Sequence, residues 1–140
     1  MTSALLGMGS NIHPTDNLWF ASNALRQAFG DVVFSPVYQS KAVGMEGDDF
    51  LNACCLIRGN FNFQYLSQWC KRQEDVRLRD RAEGSWRPRT LDLDILMFDN
   101  RVIDDELYMF AHAFVPASTL MTLENKGVDI SVVTKVAFRL

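Results

Sequence analysis

The sequence predicts an α+β domain in which two helices cover one face of an antiparallel sheet. Three observations point to it: apolar runs with strand-like alternation, two segments with apolar residues every three or four positions, and the order strand, helix, strand, strand, helix, strand. That order is the split βαβ arrangement of ferredoxin-like domains. The sequence shows no internal repeat or linker, so a single domain spanning residues 1–140 is expected.

The first strand and the first helix follow from the opening thirty residues. Residues 4–9, ALLGMG, are an apolar run that predicts a buried strand turning at its last glycine. A helix then begins at Pro14 with Thr15 or Asp16 as its N-cap, and it ends at Gly30. Its apolar stripe consists of Leu18, Ala21, Leu25 and Phe29.

The remaining elements follow in the order that the fold requires. Residues 31–40 alternate and are rich in β-branched and aromatic residues, which predicts the second strand, and 50–57 form a nearly continuous apolar strand. A second helix spans 62–77, capped by Asn60 or Asn62, and the last long strand spans 91–98. The aperiodic segments 41–49 and 79–85 are expected to be mobile loops that close over a ligand site.

The strand after the second helix carries the strongest indication of function. Asp92 and Asp94 alternate with Leu91, Leu93 and Ile95, so both carboxylates point to one face of the sheet. Adjacent carboxylates repel, and a cation between them removes the repulsion; oxygen ligands suit Mg²⁺, which usually shares its coordination with substrate phosphates. The alternative is surface charge on an amphipathic edge strand.

Polar residues elsewhere agree with a phosphate-binding site. Four arginines precede the aspartates, and arginine grips phosphate through two parallel hydrogen bonds. They are Arg79, Arg81, Arg87 and Arg89. Asn52 is the one polar residue of its strand, and it either makes a structural hydrogen bond or recognises the edge of a flat heterocycle.

Composition limits the function classes. A net charge of −3 argues against a general nucleic-acid binder, although the arginines create a local positive patch. No apolar run is long enough to span a membrane, so no membrane partner is expected. The three cysteines lie in apolar contexts and are expected to be reduced core residues, which favours a cytoplasmic protein.

Three segments together resemble the 6-hydroxymethyl-7,8-dihydropterin pyrophosphokinases of folate biosynthesis. They are Gly9-Ser10-Asn11, Phe50-Leu51-Asn52-Ala53 and the run from Arg87 to Asp94, RPRTLDLD. The resemblance extends from the N-terminus to about Val102. It implies the ferredoxin-like fold and Mg²⁺-dependent transfer of pyrophosphate from ATP to the hydroxymethyl group of the pterin, giving AMP.

The resemblance also implies which residues form the site. Two Mg²⁺ ions would be held by Asp92 and Asp94. The catalytic set would be Arg79, Arg81, Arg89, Asp92 and Asp94. The pterin would be bound by Ser40, Val43, Phe50, Asn52, Trp86 and Phe114. ATP would be bound by Glu74, Arg79, Arg81, Trp86, Arg89, Ile95 and His112.

The chain departs from the family pattern from about residue 103 onward, where it is diverged and shortened, and His112 stands where the family has a histidine or an arginine on the ATP side. This leaves a catalytically impaired pterin- or nucleotide-binding homologue with a regulatory role as the alternative. A further alternative is another two-metal enzyme, such as a nucleotidyltransferase. The expected partners are the small-molecule substrates alone, with the protein a monomer.

Overall fold

The computed structural model describes residues 1–41, 49–79 and 91–140. The strands are β1 (Thr2–Ser10), β2 (Asp31–Phe34), β3 (Tyr38–Ser40), β4 (Phe50–Gly59), β5 (Asp92–Phe98), β6 (Arg101–Val102) and β7 (Thr134–Lys135). The helices are α1 (Pro14–Phe29), α2 (Phe63–Arg79) and α3 (Ala111–Ser118), with short 3-10 turns at Asp105–Tyr108 and Ile130–Val132.

Within these ranges the strands form one sheet whose pairings are all antiparallel, as predicted. The order is β6-β5-β1-β4-β3-β7, and β2 pairs with β4 further along the edge that β3 occupies. The central strand β1 therefore lies between β4 and β5. This order brings Asn52 on β4 and Asp92 on β5 to opposite sides of the same residue of β1, Gly9.

The second predicted strand, 31–40, is interrupted. Pro36 lacks the N–H that a continuous ladder needs. Ser35 binds β4 in a different way: its backbone N–H donates to the Cys54 carbonyl (2.9 Å), and its Oγ accepts from the Cys54 N–H (2.8 Å). Two short strands, β2 and β3, therefore replace the single predicted one, and both pair with β4.

The two predicted helices share one face of the sheet, and a third helix covers part of the other. The first core cluster joins α1 and α2 to the sheet through Leu18, Leu25, Leu66, Trp69, Leu6, Met8 and Leu93. The second cluster joins α3 and the preceding turn to the opposite face through Leu5, Cys54, Leu96, Leu107, Ala113 and Ala117. The prediction that two helices cover one face is therefore confirmed for α1 and α2, and α3 is an additional helix that the sequence did not predict.

The helix ends agree with the sequence in part. His13, at φ 45°, is the residue before α1, with Pro14 in the first turn, so the predicted N-cap role of Thr15 or Asp16 was wrong. Gly30 ends α1 at φ 80°, as predicted. Asn62 caps α2, since its Oδ1 accepts from the Tyr65 N–H at 2.8 Å. No helix in the described ranges is both long and apolar enough to cross a membrane.

Candidate active site

Asp92 and Asp94 lie at the start of β5 with their side chains on the face that carries α3. The alternate residues Leu91 and Leu93 are 1% and 5% exposed and belong to the core beneath α1 and α2. The predicted alternation is therefore confirmed. Gly9 and Gly7 stand opposite the two aspartates on β1, so the floor beside the carboxylates has no side chains.

Two depressions meet at these aspartates. A central cavity of about 290 Å³ lies over β1 and β4; its lining includes Gly7, Gly9, Ser40, Phe50, Asn52, Asp92, Asp94, Glu106, Phe110 and His112. An edge groove of about 600 Å³ lies between α2 and β5; its lining includes Ser67, Lys71, Glu74, Asp92, Asp94, Ile95 and Asp104. Asp92 and Asp94 line both, so the two depressions adjoin at the carboxylates.

Asn52 faces the central cavity with its amide held by the neighbouring strand. Its Nδ2 donates to Ser40 Oγ at 2.8 Å and lies 3.5 Å from the Tyr38 carbonyl oxygen. Gly9 makes room for it, because a Cβ on Gly9 would come within 3.2 Å of Asn52 Oδ1. With neighbouring strands about 4.8 Å apart, the row Asn52–Gly9–Asp92 places the amide strand roughly 10 Å from the carboxylates.

The aromatic side of the cavity differs from the expectation. Phe114 is 4% exposed, does not line the cavity, and packs against Tyr108 with ring centroids 6.1 Å apart. Phe110, one residue before α3, is 37% exposed and lines the cavity. The geometry therefore brings Phe50 and Phe110 into the cavity and leaves the predicted Phe114 inside the fold.

His112 also lies in the central cavity. Its ring is parallel to that of Phe110, with centroids 5.2 Å apart and an interplanar angle of 10°. Its Nε2 lies 3.6 Å from Glu106 Oε1, so Glu106 and Phe110 together orient the imidazole. His112 is therefore placed beside Phe110 and Glu106 in the central cavity.

The carboxylates are crowded enough to raise a pKa. Burial, followed by the charges of Asp92, Glu106, Asp104 and Glu74, raises the pKa of Asp94 to about 7. One carboxylate oxygen from each of Asp94, Asp104 and Glu106 lies within 4.8 Å of the others. An all-oxygen donor set with repelling charges fits a hard divalent cation such as Mg²⁺. The acidic run 104–106 directly after the hairpin was the sequence signal for these two additional carboxylates.

Glu74 on α2 binds the strand segment that carries the two aspartates. It is 9% exposed, and its Oε2 accepts from the backbone N–H of Leu93 at 2.7 Å. Leu93 lies between the two aspartates, so this hydrogen bond fixes the strand segment that presents both. Glu74 and Ile95, both predicted as ATP contacts, also line the edge groove.

The Glu74 hydrogen bond gives a stability prediction. Glu74→Ala leaves the buried Leu93 N–H without this acceptor and is expected to lower the free energy of unfolding by about 1–3 kcal/mol. Glu74→Gln keeps an oxygen in that position and is expected to lose clearly less. Urea unfolding of both variants at one pH checks this. Equal losses would mean that the charge of Glu74, and not its hydrogen bond, stabilises β5.

A polar network anchors the cavity end of β1 to both helices. Arg77 Nε donates to Asn17 Oδ1 at 2.6 Å, and Asn17 Nδ2 donates to the Ile12 carbonyl (2.6 Å) and to Ser10 Oγ (3.3 Å). The Ser10 hydroxyl thus has a structural role at the end of β1. The end of α2, where the arginine-rich segment begins, is thereby held next to the cavity end of β1.

Some of the predicted site residues belong to the segments that the structure does not describe. Val43, Arg81, Trp86, Arg89 and the side chain of Arg79 lie outside the described residues. Of the remaining predicted residues, Ser40, Phe50, Asn52, Glu74, Asp92, Asp94, Ile95 and His112 line the two joined depressions.

The chain is similar to known proteins over most of its length. The family model for 7,8-dihydro-6-hydroxymethylpterin-pyrophosphokinase matches residues 5–124, beyond the Val102 limit of the resemblance found by inspection. Proteins named 2-amino-4-hydroxy-6-hydroxymethyldihydropteridine pyrophosphokinase are similar to it. That of Synechocystis is 34% identical over 112 residues, which cover 78% of this chain and 57% of the relative.

Two further relatives carry the same name. That of Haemophilus influenzae is 33% identical over 116 residues, which are 80% of this chain and 72% of the relative. That of Aquifex aeolicus is 32% identical over 120 residues, with coverages of 82% and 72%. The chain thus spans 57% of the Synechocystis relative and nearly three quarters of the other two. The resemblance is confirmed: the chain belongs to the 7,8-dihydro-6-hydroxymethylpterin-pyrophosphokinase family.

Proposed function

We propose that this protein transfers pyrophosphate from ATP to the hydroxymethyl group of 6-hydroxymethyl-7,8-dihydropterin, giving AMP, as a step in folate biosynthesis. Family membership supports the reaction. The structural observation that carries it is that Asp92 and Asp94 line both the central cavity and the edge groove. A reaction between two bound substrates needs their reacting ends to meet at the groups that organise the phosphates.

The central cavity suits the pterin. A pterin is planar and has hydrogen-bonding groups along its edge, so it calls for aromatic faces and a fixed amide. Phe50 and Phe110 supply the aromatic faces, and Asn52, oriented by Ser40, supplies the amide. Val43 and Trp86 remain proposed pterin contacts on the resemblance alone.

The edge groove suits ATP. Ile95 offers an apolar contact for the adenine, and Lys71 offers a cation on the α2 side of the groove. Arg79, Arg81 and Arg89, with Trp86, are proposed to hold the triphosphate, because guanidinium groups bind phosphate oxygens in pairs. His112 lines the central cavity beside Glu106, whose carboxylate lies close to that of Asp94, so we assign it to the transferred phosphates.

The donor set fits Mg²⁺. Asp92 and Asp94 are the proposed ligands of two ions, with Asp104 and Glu106 close enough to Asp94 to add oxygens. Bound Mg²⁺ would neutralise phosphate charge and align the reacting groups. In the reaction the hydroxymethyl oxygen attacks the β-phosphorus, the bond from that phosphorus to the α,β-bridging oxygen breaks, and AMP leaves with that oxygen. The hydroxyl proton passes to Asp94 or to a water.

A direct assay tests the proposal. The protein is incubated with hydroxymethyl-dihydropterin, ATP and Mg²⁺, and AMP is measured, with controls lacking the pterin or containing a chelator. AMP that requires both pterin and metal is the expected result. Absence of AMP while calorimetry still detects pterin binding would contradict it and favour the catalytically impaired homologue. The monomeric state, the cytoplasmic location and the absence of nucleic-acid or membrane partners stay predictions.

A further inference from the structure

The last residues of the sequence join the sheet next to the central cavity. Residues 125–140 lie outside the family match, which ends at 124. Nevertheless β7 pairs with β3, with Thr134 opposite Gln39 and Lys135 opposite Tyr38. The Val136 N–H extends this contact by donating to the Val37 carbonyl at 2.9 Å. This segment therefore fills the outer edge of β3.

The segment is held in place by alternating side chains. Val136, Phe138 and Leu140 pack against the core cluster beneath α1 and α2, whereas Ala137 and Arg139 are exposed. Such alternation is the pattern of an extended chain with one face on a core. We call residues 134–140 the C-terminal strap.

The strand that the strap covers orients the cavity amide. β3 is only three residues long, and its inner edge pairs Tyr38 with Asn52 and Ser40 with Phe50 on β4. Ser40 Oγ accepts the 2.8 Å hydrogen bond from Asn52 Nδ2, and Ser40, Phe50 and Asn52 all line the cavity. A strand this short has little stability of its own, so its position depends on what pairs with both edges.

We propose that the C-terminal strap is a positioning element for the pterin site: by fixing the outer edge of β3 it holds Ser40, and through Ser40 the Asn52 amide, in the orientation that recognises the heterocycle. Val136 is its most important residue, because its side chain packs against the core and its N–H donates to the Val37 carbonyl. The inference rests on the proposed function, since it takes the pterin as the ligand of Asn52.

The position of the strap predicts that it affects pterin binding and not nucleotide binding. Its strand pairing is with β3, at the amide side of the central cavity, whereas the edge groove lies beyond β1, along β5 and α2. Loosening the strap should therefore weaken pterin binding and leave nucleotide binding unchanged. A segment that only covers the core would lower the stability of the protein without this distinction.

The test variant is Val136→Pro, which removes the N–H that donates to Val37. We expect the Kd for hydroxymethyl-dihydropterin, measured by calorimetry, to rise about three- to tenfold, the range that one hydrogen bond accounts for. The Kd for a non-hydrolysable ATP analogue with Mg²⁺ is expected to stay within about twofold of the wild-type value. Arg139→Ala, an exposed position in the same segment, is the matched control and should change neither.

A second comparison asks whether the effect passes through Ser40. In a Ser40→Ala background the link to Asn52 is already broken, so Val136→Pro should add less than about twofold to the pterin Kd. Full additivity, an equal loss for both ligands, or an unchanged pterin Kd would each overturn the proposal. Phe138→Ala, which weakens the same anchor without altering the backbone, replaces Val136→Pro if the proline variant does not fold.

A spectroscopic measurement separates this inference from the proposed function. The side-chain amide of Asn52 gives an NMR signal that reports its hydrogen bonding without any ligand. A shifted signal or faster hydrogen exchange in Val136→Pro, with Arg139→Ala unchanged, supports the strap even if the wild-type protein fails to bind pterin, a failure that would count against the proposed function alone. An unshifted Asn52 signal overturns the strap whatever the ligand data show.

Discussion

Asp94→Asn is expected to abolish pyrophosphoryl transfer and, at the same time, to stabilise the metal-free protein at neutral pH and above. The loss of activity follows from the removal of a carboxylate shared by the two depressions. A metal ligand at a transferring phosphate contributes several kcal/mol, so a decrease of about a thousandfold in turnover is expected. The gain in stability follows from the removal of a charge that its surroundings disfavour.

The pH dependence has a definite sign. The pKa of Asp94 is about 7 in the folded protein against an ordinary value of 3.8, because burial and then Asp92, Glu106, Asp104 and Glu74 disfavour the charged form. The folded state therefore binds more protons than the unfolded state between about pH 4 and pH 7. Stability falls as pH rises through this window, and the penalty is complete above it. The advantage of Asp94→Asn should grow accordingly with rising pH.

Thermal unfolding in the presence of a chelator, at pH 5 and pH 8, checks this prediction. The unfolding midpoint of Asp94→Asn should exceed that of the wild type by more at pH 8 than at pH 5. Adding Mg²⁺ should raise the wild-type midpoint more than that of the variant, because a ligand of the folded state stabilises it by mass action. Asp75→Asn, an exposed neighbour on α2, is the control and should change neither activity nor this pH trend. Near-normal turnover in Asp94→Asn would remove the aspartate from the proposed metal site.

The sequence predicted the aspartate strand well because strand periodicity is a local property. Leu91 and Leu93 reach the core while Asp92 and Asp94 reach the site, as alternation requires. At Gly9 the predicted turn was wrong, because β1 continues to Ser10; a small residue is needed there because a Cβ would come within 3.2 Å of Asn52 Oδ1 on the neighbouring strand. In both places one strand and its direct neighbours decide the outcome.

The sequence failed where distant parts of the chain decide the structure. Helix α3 has eight residues and contains Pro116, so neither its length nor its composition predicts a helix. Its position on the sheet depends on Leu5, Cys54 and Leu96, none of which is near it in sequence. Because the register of α3 could not be inferred, the choice between Phe110 and Phe114 as the cavity aromatic could not be made from spacing alone.

The pairing of β7 with β3 shows the same limit. Two residues of strand carry almost no periodic signal, and their partner lies about a hundred residues earlier in the chain. The hydrogen bond from the Leu93 N–H to Glu74 also joins two separate elements, α2 and β5, across 19 residues. Sequence reasoning placed Glu74 at the site but gave it a ligand-binding role, whereas the structure also gives it a supporting role.

Phe110 and Phe114 allow the largest remaining disagreement between resemblance and geometry to be tested. Phe110→Ala is expected to weaken pterin binding by roughly tenfold to a hundredfold, because stacking of one ring on one base contributes about 1–3 kcal/mol. Its stability should change little, since the side chain is already 37% exposed. Phe114→Ala should instead lower the free energy of unfolding by about 3–5 kcal/mol, the usual cost of removing a buried phenylalanine.

The two variants should therefore differ in what they change: Phe110→Ala mainly pterin binding, and Phe114→Ala mainly the free energy of unfolding. Calorimetric titration with hydroxymethyl-dihydropterin, well below the unfolding temperature, separates them from each other, and Phe110→Tyr is the control that retains an aromatic face. A Phe114→Ala protein of normal stability that binds pterin poorly would favour the residue chosen by resemblance.

Because Phe110 also packs flat against His112, its removal should free the imidazole to rotate away from Glu106, so turnover should fall together with pterin affinity. A fall in affinity with unchanged turnover would leave Phe110 as a stacking surface alone and would separate His112 from the chemistry.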